Sequence, residues 1–276
     1  MVKRLKFRAA YLYLLFIAVA LLHGAGLIKK ACNYNEADIA YSKREVILKN
    51  GALRLVFSNG YITSHFWQLQ FTEDSGLACF FTVKGVPYAS FKAIWKIKSL
   101  SPIELSATAE WPGLPIKQNW DFSLKEGKIS CRVNLESDED ITINHIGIVF
   151  SLRDNYRQWA SPDEQGSMPV LDVLQQRQNV SSQFTLNPLG LISISKDGKF
   201  FPVVGVSLDK GSFLNEVLLS TCRDMFSKAA FSSVSIGGKE PLKILKGEKI
   251  TLFLGEISIF DRKEKLSEYF LIRKNG

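Results

Sequence analysis

Histidine and cysteine, the side chains most often used to hold transition metals, are scarce in this sequence, with three histidines and four cysteines among 276 residues. His23, His65 and His145 lie far apart, and none belongs to an HExxH or similar pattern. There is no GxSxG nucleophile motif, and Gly237-Gly238-Lys239 is too short for a phosphate-binding loop. We therefore expect no metal and no cofactor.

Positive charge is concentrated at the N-terminus. The net charge is +8, and the first thirty residues contain no Asp or Glu but six basic side chains: Lys3, Arg4, Lys6, Arg8, Lys29 and Lys30. The remainder of the chain is therefore nearly neutral, which gives no electrostatic basis for binding nucleic acid.

The long hydrophobic run lies at residues 9–28, which contain no Asp, Glu, Lys or Arg. As a helix, twenty residues at ~1.5 Å each span roughly 30 Å, the thickness of a bilayer's hydrocarbon core. The basic flank before it favours a cytosolic N-terminus. Residues 1–30 are thus predicted to be a signal-anchor or, since Gly24-Ala25-Gly26 offers small residues for cleavage, a signal peptide. Residues 31–45 would be a juxtamembrane linker.

Residues 46–276 would then form an extracytoplasmic domain, tethered to the membrane or, after cleavage, secreted or periplasmic. In such a compartment Cys32, Cys79, Cys131 and Cys222 can be oxidised. Four cysteines allow three full pairings, and the sequence selects none of them. The alternative is that Cys79 and Cys131 are small buried hydrophobic residues within strands.

Apolar and polar residues alternate along segment after segment of the domain, as they do in half-buried strands. The segments joined by Asn59-Gly60 read as a hairpin, and a change of phase near Asn144-His145 indicates a β-bulge. The alternating or continuously apolar segments are residues 53–57, 61–71, 91–98, 103–111, 116–124, 129–135, 141–152, 200–208, 217–222, 231–236 and 250–260.

Two helices are predicted beside these strands. A short one at residues 170–178 interrupts the irregular stretch 161–182. Asp261 and Glu264 resemble a capping box before a closing helix whose Leu266, Tyr269 and Phe270 would pack on the sheets. The predicted fold class is all-β, a large antiparallel β-sandwich with one N-terminal transmembrane or signal helix and a short C-terminal helix.

Aromatic and basic residues mark candidate ligand contacts. His65 and Trp67 would share one face of a strand, although Trp67 also shares it with Leu69 and Phe71 and could belong to the core. A second group follows a strand and begins the long irregular stretch, where it could form the rim of a groove: Arg153, Asp154, Tyr156, Arg157 and Trp159. Aromatic rings stack on sugar faces, and arginine suits acidic groups, so carbohydrate is the ligand that this composition favours.

Two residues are candidates for acid–base catalysis. Glu256 interrupts the apolar run Leu252-Phe253-Leu254-Gly255, where a carboxylate must be paired, exposed at an edge or functional. His145 lies at the predicted bulge, and bulges often redirect side chains toward sites. The sequence does not show that the two residues lie close together.

The succession of strands from Asn59-Gly60 through Trp111-Pro112-Gly113 and Asn119-Trp120 to residues 253–257 resembles the β-supersandwich of the galactose mutarotase-like superfamily. The resemblance spans residues 46–260 and is one of strand order and length. It implies a sugar ligand, because members of that superfamily bind sugars. Several of them isomerise, hydrolyse or cleave polysaccharides, often with His and carboxylate side chains.

Three hypotheses for function follow. The first is a membrane-tethered carbohydrate-binding protein, without catalysis, that serves polysaccharide assembly or processing in the cell envelope. The second is an enzyme on the same fold, an epimerase, hydrolase or lyase that uses Glu256 or His145. The third is a scaffold that binds another envelope protein through an exposed sheet edge.

Overall fold

The structure, a computed structural model, describes residues 45–58, 60–172, 175–180, 188–194, 201–224, 229–238 and 241–275. Within these ranges the protein is built almost entirely of strands. They are β1 (Val46–Asn50), β2 (Leu53–Ser58), β3 (Tyr61–Phe66), β4 (Leu69–Gln70), β5 (Thr72–Val83), β6 (Val86–Ala89), β7 (Ile94–Leu100), β8 (Glu104–Glu110), β9 (Ile116–Lys125), β10 (Lys128–Ser137), β11 (Ile141–Leu152), β12 (Tyr156–Ala160), β13 (Gln165–Ser167), β14 (Arg177–Asn179), β15 (Leu189–Ser193), β16 (Val203–Leu208), β17 (Glu216–Arg223), β18 (Ala230–Gly237), β19 (Leu242–Ile244) and β20 (Lys249–Phe260).

These strands form two sheets. The eleven-stranded sheet runs β1-β2-β3-β5-β11-β18-β17-β14, with β4, β6 and β19 paired at its sides. The nine-stranded sheet runs β13-β12-β15-β16-β20-β10-β9-β8-β7. All strand pairs but one are antiparallel among the described residues, so the predicted antiparallel β-sandwich is confirmed.

The core lies between the two sheets and takes roughly every second residue of most long strands, as the alternation predicts. Its largest fully buried side chains come from both sheets: Trp120, Tyr156, Phe71, Phe81, Phe150 and Phe253. The three cysteines of the described residues are free and buried. Cys79 and Cys131 belong to the core, as the hydrophobic alternative predicted, and no disulfide joins the three.

The single parallel pair joins two parts of the eleven-stranded sheet. Ile62 of β3 pairs with Gly76 of β5, and β5 then continues antiparallel to β11. A Cβ built on Gly76 would lie 1.9 Å from the Ile62 carbonyl oxygen, so that only glycine fits here. This contact sets the first three strands beside the rest of the sheet.

Most predicted strands match observed ones, and the predicted bulge is confirmed by a register shift between Ile143 and His145. The segment 61–71 differs, because β3 ends at Phe66 and a turn separates it from β4. The helix predicted at residues 170–178 is wrong in its described part, since Arg177–Asn179 is a strand paired with β17. There the chain gains sheet hydrogen bonds that an isolated helix of two turns could not match.

A C-terminal helix, α1 (Lys265–Asn275), packs on the outer face of the nine-stranded sheet. Leu266 and Tyr269 are buried against Val203, as predicted, and Phe270 is half-buried beside them. Asp261 lies four residues before the first helical residue and pairs with Lys265 (Oδ1–Nζ 2.6 Å), so it acts as an ion-pair partner of the first turn.

The predicted N-terminal segment, residues 1–30, lies outside the described residues, as does the linker up to residue 44. Across the part of the chain that the structure describes, no helix has the length and apolar character needed to cross a bilayer.

Candidate functional site

A cluster of charged side chains lies at one end of the eleven-stranded sheet, on the face turned away from the core. Arg54 of β2 stands directly opposite His65 of β3 in the ladder, and Arg54 alternates with the core residues Leu53 and Leu55. Glu73 lies at the start of β5, and Arg153 directly follows β11, where Leu152 pairs with Thr72. Four segments of one sheet therefore deliver charged groups to the same end.

His65 is held from both sides of its ring. Its Nδ1 lies 3.3 Å from Nη2 of Arg54, and its Nε2 lies 3.4 Å from Oγ1 of Thr63. A guanidinium group can only donate, so Nδ1 must accept and the ring proton resides on Nε2. Nε2 then donates to the Thr63 hydroxyl oxygen, which leaves the hydroxyl hydrogen available to a ligand.

The surroundings keep His65 neutral. Burial lowers the pKa of His65 most, and the positive charges of Arg54 and Arg153 lower it further, to about 4. At neutral pH the imidazole is therefore uncharged, which agrees with the tautomer that its hydrogen bonds require.

Glu73 experiences the opposite environment. Burial raises the pKa of the Glu73 carboxyl, Arg153 opposes that rise, and the nearby carboxylates of Asp74, Asp154 and Asp224 reinforce it. Arg153 thus acts on both His65 and Glu73. The cluster has a positive end, where Arg54 lies beside His65, and an acidic end at Glu73. The charge of Arg153 acts on both ends.

Neither Arg54 nor Arg153 forms an ion pair with any carboxylate among the described residues. Nε of Arg54 is buried and has no hydrogen-bond partner there. Arg153 uses Nε for a long contact of 3.5 Å to the Thr72 carbonyl, and its backbone N donates to the Phe71 carbonyl at 3.1 Å. Several guanidinium donors at this end of the sheet consequently have no hydrogen-bond partner among the described residues.

Trp67 lies in the turn between β3 and β4, two residues after His65. Its backbone is left-handed (φ 57), an unfavourable conformation for a bulky residue, and its N–H donates to the Ala52 carbonyl at 2.7 Å. The side chain is 73% exposed and touches Phe66 edge to face, with 6.2 Å between ring centroids. A large flat apolar surface is therefore presented to solvent two residues along the chain from His65 of the charged cluster.

Known structures share this architecture. The galactose mutarotase related enzyme from Lactobacillus acidophilus matches with a TM-score of 0.56 and 8% identity, over 78% of this chain and 97% of that one. A galactose mutarotase-like protein from Lactobacillus casei matches with a TM-score of 0.54 and 8% identity, over 78% and 100% of the two chains.

The chain has the galactose mutarotase-like fold.

A larger enzyme contains the same fold as one part. The GH36 alpha-galactosidase AgaA from Geobacillus stearothermophilus, in complex with stachyose, matches with a TM-score of 0.50 and 12% identity, over 79% of this chain and 41% of that one. No protein-family model matches the sequence, and no curated protein matches it either.

The galactose mutarotase-like fold brings some of the predicted ligand residues together and separates others. His65 and Arg153 lie in the same cluster, and Arg157 is nearby through its ion pair with Asp154 (Nη2–Oδ2 3.3 Å). The prediction that His65 and Trp67 share a strand face is wrong, because the turn at Trp67 ends the strand. Trp67 is also not in the core, which was the alternative.

The structure places Tyr156 and Trp159, two of the predicted ligand contacts, in the core and not on an exposed rim. Both lie in β12 of the nine-stranded sheet and are buried in the core, Tyr156 completely. The hydroxyl of Tyr156 donates to the Pro202 carbonyl at 2.8 Å. The chain crosses from one sheet to the other between Leu152 and Tyr156, so the predicted rim is divided between an exposed part and a core part.

Glu256 and His145 are not brought together. His145 is exposed in β11 of the eleven-stranded sheet, whereas Glu256 lies in β20 of the other sheet. Burial alone would raise the pKa of Glu256, but hydrogen bonds from Ser258, Arg273 and Lys128 lower it overall. Glu256 is thus an anchor for α1, and a joint catalytic role with His145 has no geometric basis.

Sequence reasoning missed Arg54, Thr63 and Glu73. The signal for the first two was present, because an Asn-Gly sequence favours a two-residue hairpin turn, and the register that starts at the Ser58–Tyr61 pair places Arg54 opposite His65. Nothing local marks Glu73, which depends on the parallel contact at Gly76. Among the described residues no three His, Cys, Asp or Glu side chains form a group suited to a metal ion.

Proposed function

We propose that this galactose mutarotase-like domain binds carbohydrate at the end of the eleven-stranded sheet, with Trp67 as stacking surface and the Arg54–His65–Thr63 chain as hydrogen-bonding partner. The observation that carries the proposal is Trp67, a strongly exposed tryptophan in a left-handed conformation, two residues after the His65 of a cluster whose buried Arg54 Nε has no partner among the described residues. Strained residues of this kind are concentrated at functional sites.

The chemistry of the site suits a sugar. The apolar face of a pyranose ring packs on an indole, while its hydroxyl groups need fixed donors and acceptors around the edge. Thr63 offers a donor, and the carboxylate of Glu73 offers an acceptor. The structural neighbours support this reading, since one is described as a galactose mutarotase related enzyme and another was seen with stachyose.

We further propose that the domain works outside the cytosol, in assembly or processing of envelope polysaccharide, with residues 1–30 as its membrane anchor or cleaved signal. The support is the basic and then apolar N-terminal sequence. Fractionation of cells that express the full-length chain tests this proposal. Recovery in the cytosolic fraction would contradict it.

An enzyme on the same fold is the second candidate, and Glu73 is the observation that favours it. A half-buried carboxyl with a raised pKa beside a polar cluster is suited to proton transfer. If catalysis occurs, Glu73→Gln abolishes turnover of a bound sugar and retains binding. If the native chain turns over none of the aldoses and oligosaccharides that it binds, the enzyme candidate is refuted and only the binding function remains.

The binding proposal is tested by comparing two substitutions of Trp67 on a glycan array and by fluorescence titration with the polysaccharides found. We expect Trp67→Gly and Trp67→Ala to weaken binding equally, by about tenfold, because both remove the indole, and an aromatic contact contributes about 0.5–1.5 kcal/mol beyond the apolar area that it buries. Trp67→Gly should fold more stably than Trp67→Ala by about 1 kcal/mol, since glycine relieves the left-handed backbone.

Lys84 provides the matched control, because it is the other non-glycine residue with a left-handed backbone (φ 50) among the described residues. Lys84→Gly should gain stability and keep full sugar binding. Unchanged affinity in both Trp67 variants would refute the site proposed here.

A further inference from the structure

Two half-buried guanidinium groups that form no ion pair with a carboxylate of the described residues are the unusual feature of the cluster. Removing a cation from water is costly unless an anion or hydrogen-bond acceptors compensate for the loss. Arg54 has a buried Nε with no partner in the described part of the chain, and Arg153 has one long contact to a carbonyl. Both lie close enough to His65 to lower the pKa of its imidazole.

The nearby carboxylates do not neutralise these two arginines by ion pairing. Asp154 pairs with Arg157, and Asp74 accepts a hydrogen bond from Nε2 of Gln70 at 3.1 Å. Glu73 is close enough to Arg153 for charge interaction but forms no ion pair with it. The acidic groups therefore gather around Glu73 and leave the His65 end positive.

We infer, on the basis of the carbohydrate-binding function proposed above, that the sugar ligand carries an anionic group and that Arg54 and Arg153 bind that group. The planar guanidinium fork matches the two oxygens of a carboxylate or a sulfate. The acidic end at Glu73 then accepts hydrogen bonds from the neutral hydroxyls of the same sugar. A ligand with one charged and one uncharged edge fits this bipolar arrangement.

His65 contributes through its neutral state. As an uncharged ring it adds no third positive charge, and it uses Nδ1 to orient the Arg54 guanidinium (3.3 Å). We therefore treat His65 as a positioning residue, and Arg54 and Arg153 as the groups that contact the anion.

The test uses sugars that differ at one substituent. The methyl glycosides of galactose and glucose are titrated into the full-length chain by calorimetry, beside the corresponding uronates and 6-sulfates. We expect the charged forms to bind at least about tenfold more tightly than the neutral parents, the effect of a charge-assisted hydrogen bond to arginine. Preference for uronates or for sulfates identifies which anion is recognised.

Variants assign the effect to the two arginines. Arg54→Gln and Arg153→Gln should each lower affinity for the preferred charged sugar by about 10- to 100-fold and lower affinity for its neutral parent much less, so that the preference for the charged form falls. Arg54→Lys should recover part of the loss, because it restores charge without the fork. Glu73→Gln should strengthen binding of the charged sugar by about two- to fivefold, the effect of a partly screened charge.

Arg132 serves as the matched control, because it is exposed on β10 of the other sheet. Arg132→Gln should bind every sugar as the native chain does. If neutral and charged sugars bind equally, the anionic ligand is refuted and the carbohydrate-binding function stands. If no sugar of either kind binds, and the glycan array is also blank, the carbohydrate-binding function fails with it.

Discussion

The proton on Nε2 of His65 determines what the cluster can offer a ligand. Nδ1 accepts from Arg54 and Nε2 donates to Thr63. The donor role of Arg54 therefore determines that the threonine hydroxyl oxygen accepts from the ring. A protonated ring would break this arrangement, since Nδ1 would then become a second donor facing a guanidinium group. The folded site keeps the ring neutral, and the hydrogen bonds of the site in turn require the neutral ring.

His65 should make the folded protein sensitive to acid. Its pKa is 6.5 in the unfolded reference and about 4 in the folded chain. Between these pH values the unfolded state binds a proton that the folded state rejects, so the free energy of unfolding falls as pH falls from 6.5 toward 4. We expect a loss on the order of 1–2 kcal/mol after allowance for solvent screening, measured by urea unfolding at pH 7 and pH 4.5.

Two variants isolate that contribution from other acid-sensitive groups. His65→Gln should lose less stability between pH 7 and pH 4.5 than the native chain. Thr63→Val keeps the imidazole and should show the native pH dependence. If His65→Gln and the native chain showed the same pH profile, the imidazole would have the same pKa in the folded and the unfolded state, which would contradict this prediction.

Among the elements, the contact between β3 and β5 positions the site. Arg54 and His65 belong to the strands before this contact, and Glu73 and Arg153 belong to those after it. The two halves of the cluster therefore meet because Gly76 lets β5 approach the Ile62 carbonyl.

Gly76→Ala should disrupt fold and site together. The added Cβ would lie 1.9 Å from the Ile62 oxygen and 2.6 Å from its carbon, and the backbone is left-handed (φ 51). We expect a loss of at least about 3 kcal/mol in the free energy of unfolding, with sugar binding lost first as the strands separate. Gly51→Ala is the control: Gly51 is left-handed (φ 58) with nothing within 4 Å of the new Cβ, so about 1 kcal/mol is expected. Equal losses in the two variants would contradict the structural role of Gly76.

The helix α1 is fastened to the nine-stranded sheet by a charged network. Nη2 of Arg273 lies 2.7 Å from Oε1 of Glu256, and Nη1 lies 3.3 Å from Oδ1 of Asp209. Arg273→Ala should cost about 1–3 kcal/mol and speed amide exchange in residues 265–275, because Glu256 keeps only Lys128 and Ser258.

Arg262 is the control for the helix, because it is 75% exposed and 3.8 Å from Asp261. Arg262→Ala should change stability by less than about 0.5 kcal/mol. A double-mutant cycle with Glu256→Ala gives the coupling energy of the Arg273 pair, and a coupling near zero would show that packing alone holds the helix.

The strands could be predicted because the alternation of apolar and polar residues is a local property of the sequence. The site depends on contacts between residues far apart in the sequence, which this alternation does not reveal. Residues 129–135 alternate and became β10, and the phase change at Asn144-His145 marked a real bulge. The alternation through Trp67 predicted one continuous strand, but the chain turns at Trp67. No glycine marks this turn in the sequence, because the fold imposes the left-handed backbone on a tryptophan. The rim predicted at residues 153–159 is divided between an exposed and a buried part because the chain changes sheets within it.

At the scale of the whole molecule, the two sheets bury cysteine thiols. If these thiols were exposed, their oxidation would depend on the compartment. Cys79 and Cys131 reach the core from opposite sheets, and Cys222 is buried on the other face of the eleven-stranded sheet. Gln118 donates to Sγ of Cys79 at 3.2 Å. The described part of the fold thus stands without disulfides, although the proposed location outside the cytosol would permit them.

These thiols should be inert while the protein is folded. Burial raises the pKa of Cys79 to about 12 and raises the pKa values of Cys131 and Cys222 as well, so the reactive thiolate is suppressed and reagent cannot reach it. In a Cys32→Ser chain, we expect no reaction with a thiol reagent under native conditions and reaction of three thiols in denaturant. The melting temperature should be the same with and without reductant, because no bond among the three is there to reduce. A Cys222→Ser chain, which removes the least deeply buried thiol, should show the same protection with one thiol fewer. Rapid labelling of the folded chain, or a melting temperature that falls on reduction, would mean that the sheets do not close over these residues as described.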